Sequence, residues 1–333
     1  MFSKLQTGDT IGIFSPSSPA SVTSQERYER AKRFLESKGF CIKEGTQTGK
    51  QDYYRSGTPK ERADELNLLI GDKNVKMIMS MIGGTNSNSI LPYIDYELFQ
   101  KNPKIVVGYS DATAILLALY AKTDISTFYG PALVPSFGEF DPLVQTTYSY
   151  FEQMFLQKPT LPYQVPMPPF WSDEAVNWET KTTEKKLYQN EWVCVQEGRA
   201  GGRLIGGNLN SMYGFIGTPY MPSVQNGDIL LIEDCMKDTS IIEKNFAMLK
   251  AHGILDKVGG IILGKHELYD DLGTGRKPYH VLLEILNERP IPILAEFDTC
   301  HTHPMHAMPI GKKVMLDATQ KSVTIEEDWL NES

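Results

Sequence analysis

The stretch "KIVVGYSDATAILLALYAK", residues 104–122, runs from an apolar strand-like segment into a long apolar helix. Ser110 lies where the two meet, between the small residues Gly108 and Ala112. The pattern Gly-x-Ser-x-Ala is close to the Gly-x-Ser-x-Gly turn that exposes a nucleophilic serine at the start of a helix. Serine is also a preferred helix cap, so this stretch alone leaves a cap and a nucleophile open.

Strand and helix patterns alternate along the first 130 residues. The segments "TIGIFSPSSPA" and "VKMIMSMIGG" have the apolar composition of strands, as do residues 105–107. "SQERYERAKRFLESKGF" has the spacing of an amphipathic helix, and another helix is expected from about residue 87 to residue 99. This alternation predicts a parallel sheet with helices on both faces.

The pattern changes between residues 141 and 197, where proline and charge are frequent and no period is visible. Beyond it, "GDILLIEDC", "VGGIILGKH" and "IPILAEFDT" read as strands between helical sequences, and a hairpin pattern follows. We predict an N-terminal α/β domain over residues 1–150 that carries the nucleophile, a linker or substrate loop over 151–190, and a smaller C-terminal α/β domain over 191–333 that carries the acid and base.

Composition narrows the class of protein. The 333 residues are 41% hydrophobic and 22% charged, the balance of a globular protein with a large core. A net charge of -8 argues against nucleic acid or an anionic membrane as the main partner. The four cysteines are scattered and no apolar stretch of about 18 residues could span a bilayer, so we predict a cytoplasmic protein with reduced thiols.

Other strand ends carry the groups that a serine nucleophile needs, namely a base, an acid that orients it, and donors for the oxyanion. Gly83 and Gly84 end one apolar strand, where their backbone amides could approach a ligand, and Asp111 could supply a second amide. Glu233 and Asp234 end another strand, where carboxylates point into the ligand crevice of parallel sheets. Ordinary turns and solvated loops are the alternatives.

Three histidines follow the last apolar strand: His301, His303 and His306. Their spacing fits no common zinc motif, so no metal is expected. Cys300 is an alternative nucleophile, although no neighbour in the sequence would activate it. Ser110, Glu233 and His301 each follow an apolar strand in the order serine, acid, histidine, which favours a serine hydrolase.

Six ordered motifs resemble the LD-carboxypeptidase family of serine peptidases, and most closely its microcin C self-immunity branch: "GGTNSNSILPYID", "NPKIVVGYSD", "FYGPAL", "GRLIGGNL", "LLIEDCMK" and "CHTHPMHAMPIG". The resemblance runs nearly from end to end. It implies a flavodoxin- or amidotransferase-like N-terminal domain, a smaller C-terminal α/β domain, and an active site between them. It also implies a cytoplasmic homodimer that requires no metal or organic cofactor.

The resemblance implies a catalytic triad of Ser110, Glu233 and His301, with oxyanion amides from Gly84 and Asp111. One departure is visible, because a cysteine precedes His301 where the family usually has glycine. His303 offers a competing assignment for the base.

For the substrate, the self-immunity branch implies hydrolysis of the acyl bond in aminoacyl- or peptidyl-nucleotide toxins. Trp171 and Trp178 could stack on a purine, or could pack their own loop. Lys237 could meet an anionic group and Asn208 the acyl group, although a surface lysine and a turn asparagine explain them equally well. The rival functions are an LD-carboxypeptidase that releases D-alanine from a muropeptide and a non-catalytic ligand-binding protein.

Overall fold

The computed structural model describes residues 2–157, 160–180, 184–287 and 289–331. Parts of the predicted linker, residues 158–159 and 181–183, lie outside the described residues. No helix in the described part of the chain is long and apolar enough to cross a membrane.

The strands are β1 (Thr10–Phe14), β2 (Cys41–Glu44), β3 (Val75–Ser80), β4 (Ile105–Gly108), β5 (Thr127–Tyr129), β6 (Tyr163–Gln164), β7 (Phe170–Trp171), β8 (Tyr188–Gln189), β9 (Val193–Gln196), β10 (Arg199–Asn208), β11 (Ile229–Glu233), β12 (Gly260–Gly264), β13 (Ile293–Phe297), β14 (Met308–Ile310), β15 (Lys313–Asp317) and β16 (Ser322–Ile325). The helices are α1 (Ala20–Thr23), α2 (Gln25–Ser37), α3 (Pro59–Gly71), α4 (Tyr96–Lys101), α5 (Thr113–Thr123), α6 (Leu143–Phe155), α7 (Leu209–Tyr213), α8 (Thr239–Ala251), α9 (Ile254–Lys257) and α10 (Pro278–Leu286).

The first sheet confirms the predicted parallel arrangement. Its strand order is β14-β5-β4-β3-β1-β2, and β1 to β5 pair in parallel. Read from the β2 edge, these strands follow the flavodoxin-like order 2-1-3-4-5, which changes direction between β1 and β3. Ligands of such sheets bind at the carboxyl ends of the strands near this point, and Gly83, Gly84 and Ser110 follow β3 and β4 there.

The second sheet has the order β6-β16-β15-β10-β11-β12-β13-β9. Its central strands β10 to β13 are parallel, and β15, β16 and β9 flank them in antiparallel fashion. Asn208 and Glu233 are paired residues at the carboxyl ends of β10 and β11. The fold is therefore mixed α/β with two sheets, and each sheet delivers polar residues at strand ends.

Two local predictions were wrong. The helix expected over 87–99 is a 3₁₀ segment, Ser87–Tyr93, followed by α4, because Pro92 interrupts the backbone hydrogen bonding and the Asp95 side chain caps a new start. Helix α6 is absent from the predicted elements. Its buried face, which includes Thr147 and four tyrosine or phenylalanine rings, does recur with helical spacing, but the proline-rich and charged sequence that follows it obscures this period.

The carboxyl-terminal residues return to the first sheet. Strand β14 pairs antiparallel with β5, and Phe2 bridges Leu330. The Trp329 side chain is fully buried, and its indole N–H donates to the carbonyl of Met154 in α6 at 2.7 Å. These contacts join β14 and the residues around Trp329 to the part of the chain that carries Ser110.

We expect Trp329→Ala to lower the free energy of unfolding by about 3–5 kcal/mol, because it empties a buried indole site. Urea denaturation followed by circular dichroism measures the change. Tyr53→Ala is the control, since Tyr53 is 89% exposed and should change stability by less than about 0.5 kcal/mol. Equal stability of both variants would show that Trp329 does not hold the carboxyl-terminal segment in place.

Candidate active site

Ser110 lies in a sharp turn after β4. Its φ of +59° is a left-handed conformation that residues with a side chain rarely adopt. Helix α5 begins only at Thr113, and within the described residues no side chain caps it or the turn before it. The turn therefore matches the exposed-nucleophile geometry better than it matches a helix cap.

Gly83, after β3, leaves room for this serine. A β-carbon on Gly83 would lie 2.6 Å from the Ser110 hydroxyl oxygen and 2.9 Å from the backbone nitrogen of Asp111. Gly84 has φ +148° and packs against the side chains of Ser17 and Ser18. The two glycines thus bring backbone, rather than side chains, against Ser110 and the serines before it.

The Glu233 carboxylate is completely buried and accepts hydrogen bonds from both sheets. His301 Nδ1 lies 2.6 Å from Glu233 Oε2, while the Tyr129 hydroxyl and the Asn208 amide donate to Oε1 at 2.5 Å and 3.0 Å. The Tyr129 hydroxyl in turn accepts the backbone N–H of Ser110 at 3.1 Å. Glu233 therefore holds the histidine and, through Tyr129, the turn of the serine.

The hydrogen bond to Glu233 also fixes the chemistry of His301. An ionised carboxylate only accepts, so Nδ1 carries the proton and Nε2 is left as the basic atom. Burial would lower the pKa of His301, but Cys235 and Glu233 together hold that pKa well above its usual 6.5. Burial likewise opposes ionisation of Glu233, and His301 brings the pKa of that carboxyl below its usual value.

Ser110 and His301 line one cavity of about 500 Å³. Four other predicted site residues line it as well: Gly84, Trp178, Asn208 and Lys237. Glu233 lies behind His301, out of the cavity wall. The site thus combines a serine, a histidine and a buried carboxylate with an indole and an ammonium group around one space.

Comparison with known proteins gives the family to which the chain belongs. Models of the LD-carboxypeptidase N-terminal and C-terminal domains match residues 11–130 and 201–316. The chain is 50% identical over 329 residues to the microcin C7 self-immunity protein MccF of Escherichia coli, which covers 98% of this chain and 96% of MccF. It is 51% identical over 326 residues to a Vibrio cholerae protein provisionally named a carboxypeptidase, covering 98% and 97% of the two chains.

The chain belongs to the LD-carboxypeptidase family. It is therefore a serine-peptidase-like hydrolase. The predicted division at residues 150 and 190 stays a prediction, because the family models end at residue 130 and resume at residue 201.

Solved structures of MccF superpose on the chain with a TM-score of 0.97 at 49% identity, covering 99% of both chains. Two of them hold aspartyl sulfamoyl adenosine and glutamyl sulfamoyl guanosine, and a tryptophan-to-phenylalanine mutant of MccF holds adenosine monophosphate. An active-site mutant of MccF has one serine, one asparagine and one lysine replaced by alanine.

Trp171 is not among the described residues that line the cavity around Ser110. Its ring packs 5.5 Å from the ring of Tyr188, and the ammonium of Lys265 lies 5.5 Å from it. Trp171 therefore packs against Tyr188 where β7 pairs with β8, and of the two tryptophans Trp178 is the one that lines the cavity.

Asn208 lines the cavity, but its side chain is committed to other groups. Its amide donates to Glu233 and Asp234, and its carbonyl oxygen accepts the backbone N–H of Ser211. Asn208 therefore supports Glu233 and Asp234, and its contact with the acyl group stays a prediction. The carboxylate of Asp111 is likewise bound, by the backbone N–H and hydroxyl of Ser87, which fixes the backbone next to Ser110.

Sequence reasoning missed Asn210, which lines the cavity two residues after Asn208. Its backbone N–H donates to Asp234 Oδ2 at 3.1 Å. Burial and the neighbouring Glu233 raise the pKa of Asp234 to about 6. The repeated asparagine in "GGNLNS" was the available signal, although nothing in the sequence tells which of the two faces a ligand.

The rival nucleophile and base have less suitable surroundings. His303 lines the cavity, and burial followed by the charge of Lys185 lowers its pKa to about 3, while the hydrogen bond to Glu233 belongs to His301. Burial raises the pKa of Cys300 to about 12, which disfavours a thiolate. His306 stacks on the Tyr150 ring and binds the carbonyl of Pro166, and it is not among the described residues that line the cavity.

Gly83→Ala should reduce kcat/KM by about 100-fold, because the new methyl group displaces the Ser110 hydroxyl. Steady-state hydrolysis and thermal unfolding of the purified variant check this. Gly71→Ala is the matched control, since its β-carbon meets only Leu98 at an ordinary 3.8 Å. Full activity in Gly83→Ala would mean that the position of Ser110 does not matter to turnover.

The pH dependence of kcat/KM should report the titration of His301. A general base acts when neutral, so kcat/KM should rise with pH through a midpoint above 6.5. Glu233→Gln removes a carboxylate that raises the pKa of His301, so the midpoint should move to lower pH while kcat falls by about 10³–10⁴-fold. An unchanged midpoint in Glu233→Gln would show that the group whose titration controls kcat/KM is not His301.

Proposed function

We propose that this protein hydrolyses the acyl bond that joins an aspartyl, glutamyl or peptidyl group to a nucleotide-like toxin of the microcin C type. The observation that carries the proposal is that Ser110, His301, Trp178 and Lys237 line one cavity. The MccF complexes with aspartyl sulfamoyl adenosine and glutamyl sulfamoyl guanosine support the class of substrate. Cleavage separates the acyl group from the nucleoside and so protects the cell.

In the proposed mechanism, Nε2 of His301 takes the hydroxyl proton of Ser110, and the serine oxygen attacks the acyl carbonyl. Backbone amides of Gly84 and Asp111 stabilise the oxyanion. The imidazolium then protonates the leaving group, and Glu233 stabilises its positive charge through the 2.6 Å hydrogen bond. Water, deprotonated by the same histidine, releases the acyl group and restores the serine.

The acyl end of the substrate is proposed to contact Lys237 and Asn210. Both line the cavity, and the described residues place no carboxylate within ion-pair distance of the Lys237 ammonium. An ammonium and an amide suit the side-chain carboxylate of an aspartyl or glutamyl group. The serine, asparagine and lysine replaced together in the MccF active-site mutant support this set of residue types.

The nucleoside end is proposed to stack on Trp178. Trp178→Ala should raise KM for aspartyl sulfamoyl adenosine by about 5- to 150-fold, the value of one base–aromatic stack, with a smaller effect on kcat. Trp171→Ala is the matched control, because the same indole is lost outside the cavity wall. Equal effects of the two substitutions on KM would remove Trp178 from the nucleoside site.

The main rival is a carboxypeptidase that releases D-alanine from a muropeptide, which the family description favours. Side-by-side assays with aspartyl sulfamoyl adenosine and a muropeptide tetrapeptide distinguish the two, with Ser110→Ala as control. We expect cleavage of the nucleoside conjugate, and at least a 10³-fold loss of turnover in the folded Ser110→Ala variant. D-alanine release alone would assign the protein to the rival function, and ligand binding without turnover would make it a binding protein.

We also propose that the protein acts in the cytoplasm as a homodimer. Each of the four cysteines is free in the structure, as a reducing compartment requires. The dimer rests on the resemblance to the family. Sedimentation velocity checks it, and a single species near 37.5 kDa would contradict it.

A further inference from the structure

The indole of Trp178 packs against a buried arginine. The guanidinium carbon of Arg27, in α2, lies 4.4 Å from the centroid of the Trp178 ring, within the range of a cation–π interaction. Arg27 is itself fixed, because its guanidinium donates to the carbonyls of Val134 and Pro135 at 3.1 Å and 2.7 Å. Its third partner is the carboxylate of Glu139, at 2.8 Å.

The Glu139 carboxylate also binds Lys185, which follows Trp178 by seven residues in the sequence. The ammonium of Lys185 lies 3.0 Å from Glu139, and the two side chains are 5% and 1% exposed. Burial opposes ionisation of Glu139, but Arg27 and Lys185 lower its pKa to about 2. Arg27, Glu139 and Lys185 therefore form one buried cluster of two cations and one anion, which we call the charge triad.

Glu179, the residue after Trp178, makes a further contact with α2. The backbone N–H of Glu26, next to Arg27, donates to the carboxylate of Glu179 at 3.4 Å. We call residues 172–180 the tryptophan segment. Glu179 joins this segment to α2, and Lys185, which follows it in the sequence, binds Glu139. Arg27, Trp178 and Lys185 all line the cavity that contains Ser110.

We infer that the charge triad positions Trp178 as a one-sided stacking surface for the nucleobase. Arg27 covers one face of the indole, so a planar ligand must use the opposite face. Lys185, held by Glu139, keeps the segment from leaving α2. These three are positioning residues for substrate selection, and this role rests on the proposed function, because it assumes that the ligand carries a nucleobase.

Charge balance makes Lys185 the informative residue to change. Loss of Glu139 would leave two buried cations without their anion, and loss of Arg27 would leave the buried carbonyls of Val134 and Pro135 without their donor, so either change endangers folding. Without Lys185, Glu139 keeps its ion pair with Arg27, and the protein loses the anchor of the tryptophan segment together with one ammonium group of the cavity wall. Lys185→Met retains the length of the side chain, and Lys186→Met is the matched control because Lys186 is exposed and lies on a tyrosine ring.

The first arm of the test needs no ligand. Hydrogen–deuterium exchange of the ligand-free protein should show faster exchange over residues 172–180 in Lys185→Met than in Lys186→Met or the unchanged protein. Equal exchange in all three proteins would overturn the positioning role. This arm decides on the charge triad even if the protein hydrolyses no nucleoside conjugate, an outcome that would overturn the proposed function alone.

The second arm measures the consequence for binding. Lys185→Met should raise the Kd for adenosine monophosphate and KM for aspartyl sulfamoyl adenosine about tenfold, with kcat changed less than twofold and Lys186→Met unaffected. In a Trp178→Ala background the same substitution should change Kd less than twofold, because the surface that it positions is gone. A full additional tenfold loss there, or a fall in kcat at constant KM, would overturn the inference.

Discussion

The rest of the site depends on one buried carboxylate. Glu233 is shut off from water and can remain ionised only if neighbouring groups donate to it. Its donors come from both halves of the molecule: Tyr129 ends β5 of the first sheet, Asn208 ends β10 of the second, and His301 follows β13. The packing of the two sheets is therefore also the condition for the orientation of His301 by Glu233.

Close backbone approach is the second constraint. Ser110 adopts its left-handed turn beside Gly83, where any side chain would collide with the hydroxyl. From the other sheet, Gly207 faces Thr113 and Tyr129 so closely that a β-carbon would lie 2.7 Å from the threonine methyl group. Such a turn costs on the order of 1–3 kcal/mol, and the surrounding packing of two sheets supplies the compensation.

Sequence patterns predicted what is encoded locally. The strands before Ser110 and Glu233 are short apolar runs, and the small residues around Ser110 announce the turn. Trp171 and Trp178 could not be separated, because their segment has no period and only tertiary packing places one indole in the cavity. The same holds for Asn208 and Asn210, and for the charge triad, whose members are 112 and 46 residues apart along the chain. Helix α6 was missed because the proline-rich and charged residues that follow it obscure its helical period.

The central claim is that Ser110 is the nucleophile of this family member. Labelling with a fluorophosphonate, followed by mass spectrometry of the proteolytic peptides, tests it most directly. We predict one adduct, on Ser110, that forms much more slowly in Glu233→Gln because His301 loses the carboxylate that orients it. An adduct on another residue, or equal labelling rates in the two proteins, would contradict the account.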